Sequence, residues 1–365
     1  MAALWRFDSA SGYPVSDKVG LGSVGLGNWA DVLALAVARG SAAEIVNCWS
    51  RSPESRARFQ TEHGVPRTAT SLQDLLSDPE VEGVVVTTPN DAHKPVILEA
   101  LAAGKAVYTD KPIAHTLEDA MEIKQAVERQ KHAFSIGHSA RRLSGHRMMK
   151  DWIDSGRLGG VSMAEAHFTT PRGLALTPDS WRYFAEKSPG GALIQLGVHH
   201  TDTLQYLLGP VRSVSARARR LYTEAEVPDT VMVLIEFESG ALGTLATGWA
   251  APGVYQMRIY GTEANLFFDV DQGYWDRSHE IDAYSRLELQ PRGKTERTDM
   301  ELTATDMFKE EIEEFALAIR GRATVEVTVD DSIRALAVVM AAVESSNRGG
   351  APVVPDDLLR RRFRN

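Results

Sequence analysis

Val24-Gly25-Leu26-Gly27-Asn28-Trp29-Ala30 follows a β-rich run, Lys18–Val24, and opens a stretch of helical period, Asn28–Arg39. Gly-x-Gly-x-x-Ala is a weak pattern by itself, and its strand–turn–helix setting is what gives it meaning. Gly25 suits the positive φ of a tight turn, Gly27 lets backbone amides approach a pyrophosphate, and Ala30 keeps the helix close to the strand. The start of the helix then offers partial positive charge to phosphates. An overlapping match, Gly20, Gly22 and Gly25, would begin inside the strand and is the poorer reading. A glycine-rich strand end without a ligand is the plain alternative.

About 20 residues further on, a site that prefers NAD would place Asp or Glu at the end of the second strand, on the ribose 2′-hydroxyl. Here that end reads Cys48-Trp49-Ser50-Arg51-Ser52. A hydroxyl at Ser50 and a guanidinium at Arg51 suit a 2′-phosphate, which favours NADP over NAD. An exposed arginine at the start of a helix is the competing reading.

Outward from this turn, short β-rich runs alternate with helical stretches. The strands expected are Lys18–Val24, Glu44–Ser50, Gly83–Thr88, Ala106–Asp110 and Ala133–Gly137; the helices are Asn28–Arg39, Pro53–His63, Asp91–Ala103 and Leu117–Lys131. Ser71 with Asp74, and Thr116 with Asp119, have the spacing of an N-terminal cap. The pattern predicts an α/β domain with a doubly wound parallel sheet over residues 18–141, behind an irregular extension at 1–17. From residue 142 to 365 the period changes. A helix at Gly145–Ser155, a long loop and a helix at Gly191–Leu208 lead to consecutive strands between Val211 and Phe268, then helices at Asp306–Ile319 and Asp330–Arg348. This predicts an α+β domain with a largely antiparallel open sheet.

Composition narrows the function classes. With 365 residues, 43% hydrophobic and 24% charged, the chain has the make-up of a soluble globular protein large enough for two cores. A formal charge of -9 argues against nucleic acid, and the basic run Arg360-Arg361-Arg362-Phe363-Arg364 reads as a solvated tail. No run approaches the roughly 20 apolar residues of a membrane span. The single cysteine, Cys48, lies in an apolar run and suits a buried thiol in a reducing, cytoplasmic setting. Neither a zinc-like His/Cys spacing nor a Gly-x-Ser-x-Gly elbow occurs, so metal and acyl-transfer chemistry find no support.

Further motifs carry a resemblance. Thr87-Thr88-Pro89-Asn90-Asp91-Ala92-His93, Thr109-Asp110-Lys111-Pro112, and Gly190-Gly191-Ala192-Leu193-Ile194-Gln195-Leu196-Gly197-Val198-His199-His200-Thr201-Asp202 join the glycine turn. Together, across Lys18 to Pro355, they resemble the glucose–fructose oxidoreductase / inositol dehydrogenase (Gfo/Idh/MocA) family. Asp110 stands where the family's Glu-Lys-Pro motif has Glu, and Gln195 stands where members commonly have Asp. The resemblance implies an NAD(P)-dependent enzyme acting on a secondary hydroxyl or ketone of a sugar, cyclitol or sugar derivative. It further implies a homodimer or homotetramer formed through the C-terminal sheet. Cofactor contacts are then expected from Gly25, Gly27, Asn28, Trp29, Ala30, Ser50, Arg51, Thr88, Pro89, Asn90, His93, Asp110 and Lys111.

Hydride transfer from a carbinol needs a group to move the hydroxyl proton and a cation to favour the alkoxide. Lys111, at the carboxyl end of a predicted parallel strand, suits the second task. The resemblance assigns the proton relay to His199; spacing alone leaves a structural histidine equally open. Gln195, His199 and Asp202 fall at i, i+4 and i+7, so Asp202 is expected to orient the imidazole from the same helix face. Gln195 can hydrogen-bond a substrate hydroxyl and cannot act as a base. Trp181 and Arg182 match a Trp-Arg pair that would line the substrate pocket, or else a packed aromatic with a surface arginine. On the same fold, nicotinamide-assisted glycoside cleavage without net redox, or sensing without turnover, remain alternatives.

Overall fold

A computed structural model describes residues 18–362; the extension expected at 1–17 and the end of the C-terminal basic run lie outside the described residues. In chain order the first half runs β1 (Val19–Val24), α1 (Asn28–Arg39), β2 (Ala43–Trp49), α2 (Pro53–His63), β3 (Arg67–Thr68), α3 (Leu72–Ser77), β4 (Gly83–Val86), α4 (His93–Ala102), β5 (Ala106–Asp110), α5 (Leu117–Gln130) and β6 (Phe134–Gly137). The strands form one parallel sheet in the order β3-β2-β1-β4-β5-β6. Its direction of winding reverses between β1 and β4, so a crevice opens beyond their carboxyl ends, where such sheets bind ligands.

Local chemistry explains the boundaries. Ser71 accepts from the Asp74 amide at 3.0 Å and Thr116 from the Asp119 amide at 3.1 Å, as the cap spacing predicted. β3 was not anticipated, and of α3 only the start at Ser71 was marked. A two-residue strand has no period to read, and only the cap signals the six-residue helix.

The second half contains α6 (Ser144–Asp154), β7 (Val161–Thr169), α7 (Val198–Leu208), β8 (Val211–Arg219), β9 (Thr230–Phe237), β10 (Leu242–Gly248), β11 (Val254–Gly261), β12 (Ala264–Val270), β13 (Ser285–Pro291) and β14 (Thr298–Met300). It ends with α8 (Met307–Ile319), α9 (Val329–Asn347) and α10 (Pro355–Arg362). The eight strands order as β14-β13-β12-β11-β7-β10-β9-β8. All neighbours are antiparallel except β10 on β7. β7 corrects the sequence reading, which left this segment in a loop. Its buried face is Ala164, Ala166 and Phe168, and two alanines give little β signal although the strand is central.

α8 returns to cover the parallel sheet. Arg39 pairs with Asp306 at 2.8 Å, Tyr108 donates to Glu311 at 2.6 Å, and Phe308 and Phe315 are buried. Burying each phenyl ring contributes roughly 1.5–3 kcal/mol. α9 spans both halves: Ser332 meets His138 of the segment after β6 at 2.9 Å, and Ser345 accepts from the Ala216 amide of β8 at 2.9 Å. The two sheets are thereby locked on either side of the crevice. Cys48 is fully buried, and desolvation pushes its thiol up to about 11. Among the described residues no helix is long and apolar enough to cross a membrane.

Candidate active site

Gly25, after β1, adopts φ +88, and a Cβ added there would lie 2.8 Å from the Thr88 amide. Only glycine lets the turn pass so close to the loop after β4. Gly27 precedes α1, which has no side-chain cap, and a Cβ there would meet nothing within 4 Å. Its backbone therefore faces open space at an amide-rich helix start. Ala30 is buried beneath it. Gly20 and Gly22 pack inside β1, where a Cβ on Gly20 would strike the Glu80 carbonyl, so the overlapping match is structural.

The turn opens on a cavity of about 790 Å³ whose walls come from both halves of the chain. Asn28, Trp29, Thr88, Pro89, Asn90, Asp110 and Lys111 line one side; Trp181, Arg182, Gln195 and His199 line the other. Among the described residues, six buried polar atoms of the lining lack a protein partner: Trp29 Nε1, Thr88 Oγ1, Asn90 Nδ2, Asp110 Oδ1, Thr170 Oγ1 and His199 Nδ1. Orphaned atoms of this kind are costly, and several around one cavity suit a polar ligand. The uncapped helix, the open space at Gly27 and these donors and acceptors fit a dinucleotide.

Lys111 sits just past β5 and its Nζ donates to the Gln195 carbonyl at 3.1 Å. Burial pulls its ammonium below the usual lysine range; Asp110 opposes this, and Arg182 and Arg172 add to it. His199 has Phe168 and Trp275 at ring distances of 5.7 and 5.4 Å. Burial, with Lys111, His138 and His200 nearby, pushes the imidazole well below its ordinary 6.5. It is therefore neutral near pH 7, the form in which a ring nitrogen can act as acceptor.

Asp202 does not orient it. Both carboxylate oxygens accept from Arg141 at 2.6 Å, and Asp202 is buried away from the cavity. Over Leu193–Gly197 the helix widens to π pitch before α7 begins, so the even i, i+4, i+7 spacing does not apply. His200 turns away to the His167 carbonyl, 3.3 Å distant. His93 is a second correction, since its ring lines neither cavity. It lies between two carbonyls, Thr88 at 2.9 Å and Pro112 at 3.0 Å, tying the loop after β4 to the Lys111–Pro112 segment.

Gln195 Oε1 accepts from Arg182 Nε at 3.2 Å while its amide donates to Ser188 Oγ at 3.2 Å. The Arg182 guanidinium lies 4.3 Å over the Trp181 ring. Ser50 and Arg51 line an adjoining cavity of about 410 Å³ together with Gly27 and Pro89, and no carboxylate lines it. Arg56 donates to the Ser50 carbonyl at 2.6 Å. Arg172, Trp249 and Trp275 were missed from sequence. Arg172 stands just beyond β7, and recognising that strand would have placed it at the cavity edge.

Residues 19–138 match the model of an oxidoreductase family with an NAD-binding Rossmann fold, and residues 146–267 match the GFO/IDH/MocA C-terminal domain. The 1,5-anhydro-D-fructose reductase of Ensifer adhaerens is 28% identical over 345 residues, 92% of this chain and 99% of that protein. The scyllo-inositol 2-dehydrogenase (NAD(+)) of Bacillus subtilis is 26% identical over 302 residues, 81% of this chain and 84% of that one. A crystal structure from Desulfitobacterium hafniense, inferred to be an NADPH-dependent oxidoreductase, is 37% identical. It superimposes with a TM-score of 0.90 over 94% of this chain and 100% of its own.

Proposed function

Because this chain belongs to the Gfo/Idh/MocA oxidoreductases, with an NAD-binding Rossmann domain, we propose that it transfers hydride between NAD(P) and a secondary hydroxyl or ketone of a sugar, cyclitol or sugar derivative. The observation that carries this reading is the shared cavity of Lys111, His199 and the glycine turn. When bound, the dinucleotide supplies the hydride carrier. Lys111 Nζ hydrogen-bonds the reacting oxygen and stabilises its developing negative charge. Neutral His199 takes the hydroxyl proton during oxidation and returns it during reduction. Trp181 and Trp275 line the same cavity and offer apolar surface to the C–H groups of a polyol.

NADP is the favoured dinucleotide, supported by Ser50, Arg51 and the absence of a lining carboxylate beside them. The inferred NADPH dependence of the Desulfitobacterium hafniense relative points the same way. The outer face of the second sheet leaves Met163, Met232, Leu234 and Leu242 exposed, which supports a homo-oligomer joined sheet to sheet. A panel of sugars and cyclitols, assayed by nicotinamide absorbance with NAD and NADP, tests the reaction. Dinucleotide binding without redox on any polyol would sink it, and aglycone release without net redox would replace it with glycoside cleavage.

A further inference from the structure

We propose that the substrate is an anionic sugar or cyclitol, a sugar acid or sugar phosphate, whose oxyanion is held by Arg182 and Arg172. This rests on the hydride-transfer reading and names the substrate class of that site.

The argument starts from charge. Three cationic side chains, Lys111, Arg172 and Arg182, line the cavity, against two carboxylates, Asp110 and Asp276. His199 is neutral and adds nothing to either side. Lys111 is committed to the reacting oxygen, so the arginines are left over. The Arg172 side chain has neither a hydrogen bond nor an ion pair with the described residues. Among the described residues only the Nε of the Arg182 side chain is occupied, and its partner is the amide oxygen of Gln195 rather than a carboxylate. A carboxylate at position 195 would cancel the guanidinium charge; an amide fixes the group and leaves the charge in place. Ser188 holds the other end of that amide, so its oxygen stays turned toward Arg182.

Shape agrees with charge. The Arg182 guanidinium carbon lies 4.3 Å from the Trp181 ring centroid, which restrains the group, and neither Nη has a hydrogen-bond partner among the described residues, so both can serve a planar or tetrahedral oxyanion. Burial draws Arg182 and Lys111 below their usual ranges; Asp110 opposes this at both, while Arg172 adds to it at both and Arg182 adds to it at Lys111. Like charges gathered in one partly desolvated cavity are relieved by a bound anion. A neutral polyol would leave that repulsion in place.

The test compares matched pairs in steady state: D-glucuronate and D-glucose 6-phosphate against D-glucose, and D-galacturonate against D-galactose, each with both dinucleotides. The anionic member should exceed its neutral partner by roughly tenfold or more in kcat/KM, the worth of a charge-assisted hydrogen bond. Which anion wins separates carboxylate from phosphate. Arg182→Met should collapse the acid-to-neutral ratio by about 10–100-fold through KM, and Arg182→Lys should restore part of it. Calorimetric titration of glucuronate and glucose into the dinucleotide-loaded enzyme reads the same preference without turnover. If glucuronate binds selectively but no sugar is oxidised, the anion site stands and hydride transfer falls. Preference for the neutral sugars, or an unchanged ratio in both Arg182→Met and Arg172→Gln, overturns the proposal. A loss confined to dinucleotide KM in Arg172→Gln assigns that residue to the cofactor and overturns its half of the site.

Discussion

Lys111 Nζ, carried by the first sheet, donates to the backbone carbonyl of Gln195, carried by the widened helical turn of the second domain, at 3.1 Å. This bond aims the ammonium across the cavity toward the wall that holds His199. Moving the Lys111 charge should therefore affect turnover more than folding. Lys111→Met and His199→Ala are each expected to lower kcat by roughly 10²–10⁴. Melting temperature and circular dichroism report whether the fold survives, and wild-type kcat in both variants would refute the assigned roles.

Glu311 gives a pH-dependent prediction. Its Oε1 accepts from Tyr108 at 2.6 Å and Ser139 at 2.9 Å, and burial pushes the carboxyl up to about 8 despite the nearby Arg142. A carboxyl raised above its ordinary 4.5 binds more protons folded than unfolded between those values. Stability from this group is thus full below about 4.5 and declines as pH rises through about 8. Glu311→Gln retains the acceptor and cannot ionise. It should match wild type near pH 5 and exceed it by at least about 1 kcal/mol near pH 9 in urea unfolding. Equal midpoints at both pH values would count against the raised carboxyl.

Arg51 and Ser50 bear on the dinucleotide. With both beside the adjoining cavity and no lining carboxylate, the ratio of kcat/KM for NADP over NAD should exceed one. Arg51→Ala is expected to reduce that ratio roughly 10–100-fold, the worth of one charge-assisted contact. A wild-type enzyme with strong NAD preference would remove the basis for the NADP assignment, whatever Arg51→Ala does.

The parts legible in the sequence are those whose signal is local. A glycine turn between a strand and a helix, and hydroxyl caps three residues from an acid, carry their geometry within a few positions. Thr116 and Ser71 make the bonds their spacing implied. What the sequence hides is non-local or depends on pitch. Nothing near Asp202 announces that Arg141, from the other side of the crevice, takes both its oxygens. The widening at Leu193–Gly197 cannot be read from a helical period; Gln195 and His199 still line one cavity wall, and Asp202 alone is turned from it. His93 stood in a loop motif beside cofactor residues, yet its two carbonyl partners turn the ring inward. β7 was lost because Ala164 and Ala166 suffice where the sheet is covered closely, and Arg172 was lost with it.

The two turn glycines separate folding from binding. At Gly25 a methyl group is doubly opposed, by φ +88 and by the Thr88 amide 2.8 Å from the new Cβ. Gly25→Ala should therefore lower stability by at least about 1 kcal/mol, since an L-residue is strained there and the loop after β4 must shift. At Gly27 the backbone is extended, with φ -89 and ψ -178, and the added Cβ meets nothing within 4 Å. Gly27→Ala should leave unfolding within about 0.5 kcal/mol of wild type. The methyl would instead occupy the space in front of the α1 amides. Dinucleotide affinity, measured by calorimetry, is expected to fall about tenfold or more, a loss of roughly 1.4 kcal/mol. Undiminished affinity in Gly27→Ala would mean that the phosphates are not held at this turn.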